Sequence, residues 1–104
     1  MSVAELINDK VVDELTPIYL DVINESDNHN VPAGSESHFK LVIVSDAFDG
    51  KSLVQRHRQL NNLLADQLAG PIHALSLHTH TPDEWQKRGG QSKNYSTLAL
   101  HVVE

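Results

Sequence analysis

Seven histidines and no cysteine stand out among the 104 residues. Imidazole titrates near neutral pH and ligates metals when neutral. The absence of cysteine removes any thiolate nucleophile, disulfide or Cys-based metal site built from this chain alone. His78 and His80 form an H-x-H pair on one strand face. Such a pair suits zinc or nickel, but two ligands without a third read as adventitious surface metal. His29, in SDNHNVP, reads on its own as a solvated loop histidine. His73, in PIHAL, reads on its own as a histidine beside the core, on the face of Leu75 and Leu77, with a satisfied hydrogen bond. His38 anchors the loop before a strand, and His57 falls on the core-facing period of a helix. Glu25, Ser35, Glu36 and Ser37 crowd the loop near His29 and His38. Loops favour serine for backbone reasons, however, and there is no nucleophile elbow, P-loop or dinucleotide fingerprint. The expectation is a protein that binds and does not catalyse.

Cations offer a second chemistry. Arg56 and Arg58 flank His57, and Lys51 and Lys40 extend the basic set. Arginines on a helix can contact phosphates or guanine edges, which makes Lys51, Arg56 and Arg58 the candidate nucleic-acid contacts. Two features weigh against them. The formal net charge is -6, whereas phosphate binders usually carry a basic excess. Arg56 and Arg58 also lie about 200° apart around a helix.

These side chains must be positioned by a small set of elements. Val3, Leu6, Ile7, Val11 and Leu15 have helical spacing, opened by a Ser2–Glu5 capping box and closed at Thr16-Pro17. A strand is predicted from Ile18 to Ile23, then a polar loop from Asn24 to Ser37. His38 to Asp46 forms the second strand, with Phe39, Leu41 and Ile43 on one face. After the Asp49-Gly50 turn, a Ser52–Gln55 box opens a helix with Leu53, His57, Leu60, Leu64 and Leu68 on one stripe, closed by Gly70-Pro71. A third strand runs from Ile72 to Thr79, and Thr81-Pro82-Asp83-Glu84 starts a short helix containing Trp85. The class is α+β, in the order α-β-β-α-β-α, with a three-stranded mixed sheet and helices on one face.

The segments VPAGSESHFK, VSDAFDG, QRHR, PIHALSLHT and TPDEW, in this order, resemble the BolA family. The resemblance covers residues 1–88 and leaves 89–104 as a tail, either an extra edge strand or flexible. It implies a class II KH-like fold, although the GxxG loop that clamps RNA in true KH domains is missing. It also implies a monothiol glutaredoxin partner and a [2Fe-2S] cluster shared with that partner and glutathione. On this resemblance the ligands from this chain are His73 and the loop residue His29, the histidine variant of a position that is cysteine in another subgroup. Such a protein is linked to iron homeostasis and stress. The alternative that the family implies is a DNA-binding transcriptional regulator of cell-shape and stress genes. No signal peptide or membrane span is read in the chain, so the expectation is a cytoplasmic protein, a monomer or weak homodimer when alone.

Overall fold

The computed structural model describes residues 2–26, 32, 34–88 and, for the backbone alone, 100–103. Helix α1 spans Val3–Leu15. Its first N–H groups have no partner within the helix, and a hydroxyl and a carboxylate supply acceptors. The Ser2–Glu5 box closes as predicted, with the Ser2 hydroxyl accepting the Glu5 N–H. Glu36 then accepts the N–H groups of Val3 and Ala4 at 3.1 and 3.2 Å. At the other end Thr16 takes a left-handed conformation with φ 43°, not the extended one expected before Pro17. Its N–H closes on the Val12 carbonyl, and the Ser45 hydroxyl donates to the Leu15 carbonyl.

Strands β1 (Tyr19–Asn24) and β2 (His38–Val44) pair antiparallel, and β3 (Ala74–His80) runs parallel to β2. The backbone of β4 (Leu100–Val103) adds parallel to β1, giving the order β3-β2-β1-β4. Strand alternation sends Leu20, Val22, Phe39, Leu41 and Ile43 to one face, where Ile7, Val11 and Leu15 of α1 meet them. Truncating one of these large side chains to alanine removes about 2–5 kcal/mol, a large share of a stability of about 5–15 kcal/mol. This is the class II KH-like α+β arrangement, with the two long helices on one face.

Helix α2 (Leu53–Leu63) packs on that same face, and a break at Leu64 separates it from α3 (Ala65–Ala69). The backbone bonds Leu64 N–H to Leu60 and Leu68 N–H to Leu64 run through the break. The buried stripe differs from the predicted one. Leu53 is 61% exposed, whereas Arg56, Leu60, Leu64 and Gln67 are buried. His57 is half-buried. The first turn of α2 projects beyond the core, so a guanidinium with polar partners at its tip occupies the position that apolar spacing assigned to Leu53 and His57. The short helix α4 (Pro82–Lys87) closes the end of the sheet. Its Trp85 crosses to the opposite face and packs on Tyr19, Val42 and Val44.

Candidate functional site

The register divides the functional side chains between two ends of the sheet. At one end Asn24 lies opposite Phe39, and His38 opposite Ala74. At the other Tyr19 lies opposite Val44, and Val44 opposite His80. Seven-residue strands at ~3.3 Å per residue separate the ends by roughly 20 Å.

The first end is built around a buried hydroxyl. Ser26 Oγ accepts the N–H groups of Ser37 and His38 at 2.9 and 3.1 Å. Asn24 adds its side-chain oxygen to the Ser26 N–H and its amide nitrogen to the Ser35 carbonyl. The segment leaving the long loop is thereby fixed against the residues entering it. The Ser37 carbonyl in turn accepts the N–H groups of His73 and Ala74, at 2.7 and 3.2 Å. These bonds carry His73 to within 6.3 Å of His38, ring centre to ring centre. The Ser37 hydroxyl and His38 Nδ1 lie 2.8 Å apart.

His73 is exposed. The strand begins only at Ala74, so its alternation does not extend to His73, and the core-flanking position does not hold. The other predicted ligand, His29, lies outside the described residues. Among the described residues no group of three His, Cys, Asp or Glu side chains surrounds a common point. The donor set is thus an exposed imidazole with a second beside it, which suits a site completed by ligands from elsewhere. The H-x-H pair is split in environment. His78 is exposed beside the Ser76 hydroxyl, whereas His80 packs against Trp85 at 5.2 Å. Burial, and next the positive charge of Arg88, push the His80 pKa down.

At the second end the predicted nucleic-acid contacts separate. Arg56 is withdrawn from the surface. Its Nη1 and Nη2 donate to the two carboxylate oxygens of Glu84 at 2.7 and 3.0 Å, and its Nε to the Lys51 carbonyl. Nη1 also reaches the Thr79 carbonyl, and the guanidinium lies over the Phe48 ring. Glu84 closes the α4 capping box on the Thr81 N–H as well. Held chiefly by the Arg56 hydrogen bonds, its carboxyl drops from the usual 4.5 to about 2. A phosphate therefore has no access to Arg56 while this pair is closed. Arg58 is exposed, and Lys51 is half-buried with Nζ donating to Gln59. An open groove of about 540 Å³ lies here, bordered by Lys51, Leu53, His80, Lys87 and Arg88.

Sequence reasoning missed the Arg56–Glu84 pair, the Ser26 hydroxyl and the closeness of His38 to His73. The i, i+4 placement of Arg56 below Leu60 and Leu64 was the available signal for the first.

The family model described as "BolA-like protein" matches residues 11–84. A Vibrio cholerae protein, the "DNA-binding transcriptional regulator BolA", is 53% identical over 86% of this chain and 85% of its own length. The Escherichia coli protein of the same name is 49% identical over 83% of this chain and 82% of its own. Among solved structures, the BolA domain of SufE1 from Arabidopsis thaliana aligns with TM-score 0.75 and 46% identity, covering 81% of this chain and 96% of that one. BolA1 from Mus musculus aligns with TM-score 0.76 and 41% identity, covering 88% and 75%.

Proposed function

This chain belongs to the BolA family, and from that premise we propose that it is a non-catalytic adaptor that binds a monothiol glutaredoxin in the cytoplasm. His73 and His29 are its contribution to a [2Fe-2S] cluster shared with that partner and glutathione. The observation that supports this reading is the exposed His73 imidazole, anchored through its backbone N–H to Ser37 and 6.3 Å from His38. His73 is held by the sheet, whereas the partner and glutathione supply the thiolates that this chain lacks. Imidazole ligands in place of thiolates raise the reduction potential of such a cluster, and acid competes for them.

The test is a titration of wild type, His29→Ala and His73→Ala into cluster-loaded monothiol glutaredoxin, followed by visible absorption and circular dichroism. His73→Ala is expected to remain folded, since the side chain is exposed, and to lose most of the spectral change. If both variants change the spectrum as wild type does, the cluster reading is wrong.

A second reading is DNA binding, supported by the names of the Vibrio cholerae and Escherichia coli relatives. With Arg56 committed to Glu84, phosphate contacts on α2 and its approach fall to Arg58 and Lys51. Alanine at either position, by removing one phosphate-bound cation, is expected to flatten the salt dependence by about one unit. Unchanged affinity and slope in both variants would exclude this surface.

A further inference from the structure

We propose that the groove between α2 and α4 is a docking site for an acidic peptide segment carrying an apolar anchor residue. It lies at the end of the sheet away from His73, so it does not depend on the cluster reading. Two observations carry it. The first is exposed apolar surface without a folding role. Leu53 borders the groove at 61% exposure, and its chain neighbour Val54 is 58% exposed. They are the two most exposed large apolar side chains among the described residues. The second is charge. Among the described residues, Lys51, Arg56, Lys87 and Arg88 border the groove against a single carboxylate, Glu84, in a chain of net charge -6. Arg56 is matched by Glu84, and Lys87 pairs with Asp83 at 3.1 Å. Lys51 and Arg88 form no ion pair among the described residues.

The balance between these features selects the occupant. A nucleic-acid backbone calls for several unmatched cations, and here two of four are neutralised beside an exposed leucine. An apolar side chain set into the groove against Leu53, flanked by carboxylates reaching Lys51 and Arg88, matches both the apolar surface and the modest positive excess. An apolar anchor with a polar rim is the usual composition of a protein interface. The sheet separates this groove from the histidine end by roughly 20 Å, so a peptide here and a partner at His73 can be held together.

The test is selection of random 12-residue peptides displayed on phage against the immobilised full chain, then fluorescence anisotropy with the enriched peptide. Enriched peptides are expected to combine Asp or Glu with Leu, Ile or Phe. Affinity for the enriched peptide is expected to fall at least tenfold in Leu53→Ser and in Arg88→Glu, and a peptide with its acids changed to lysine is expected to recover on Arg88→Glu. Both substitutions are at exposed positions, where folding is little affected, and far-ultraviolet circular dichroism checks this. A selection without an acidic consensus, or a peptide bound equally by both variants, overturns the proposal. So does a 20-base-pair duplex that displaces the peptide and loses affinity in the same variants, which makes the groove a nucleic-acid surface.

Discussion

Glu84→Gln isolates the charge that holds α4 to α2. Glutamine keeps an oxygen for the Thr81 N–H and one contact to the guanidinium, but it cannot neutralise the buried Arg56. In wild type the paired carboxyl titrates at about 2 instead of 4.5. A displacement of that size corresponds to at most roughly 3–4 kcal/mol. The Glu84 side chain is 47% exposed, and solvent screening reduces the contribution to roughly 1–2 kcal/mol. Because the folded-state pKa is depressed, this stability is fully present above the unfolded value near 4.5 and disappears as pH falls through about 2. Urea unfolding at pH 7 is therefore expected to show the variant about 1–2 kcal/mol less stable. The gap should narrow below pH 4.5 and close near pH 2. Asp83→Asn is the control, since its pair with Lys87 is exposed on both sides and should change little. A gap that stays constant from pH 7 to pH 2 would refute the assignment of the effect to the carboxylate charge.

Ser26→Ala leaves the Ser37 and His38 N–H groups without their acceptor and is expected to cost about 1–3 kcal/mol. Amide exchange that accelerates more at those two residues than at the core positions Leu41 and Ile43 is the signature, and unchanged exchange at Ser37 and His38 contradicts it. Trp85, the single tryptophan, reports on His80 because protonated imidazole at this range quenches indole emission. Burial lowers the His80 pKa, so quenching should develop with a midpoint below 6.5. Stability should also decline as pH falls from 6.5 toward that lowered value. A midpoint at or above 6.5, or the same quenching in His80→Gln, would contradict this.

The local signals in the chain were legible. The boxes at Ser2, Ser52 and Thr81 each bind the backbone N–H three residues on, because capping depends on neighbours in sequence. The alternation of Phe39, Leu41 and Ile43 also appears as written. Interactions across the fold were not legible. Arg56 read as a surface cation because its partner is 28 residues away. The neighbourhood of His38 and His73 follows from the β2–β3 register, which no local spacing encodes. The phase of α2 differs from its apolar spacing because leucine at the first turn is by type a better core residue than arginine, and only the placement of Glu84 reverses that order.

The position of β3 at the edge of the sheet, joined to β2 by a long crossover, has a kinetic consequence. Parallel neighbours bring together residues distant in sequence, and such pairings close late in folding. An edge strand has one ladder to lose, and local openings are drawn from such regions. Peeling β3 from β2 would carry His73 away from His38 while the antiparallel β1–β2 pair stays closed. The lifetime of the histidine pair is then set by the opening rate of one strand, well before the whole domain unfolds. Anything that bridges the two imidazoles would slow that opening and protect β3 amides in proportion to its affinity.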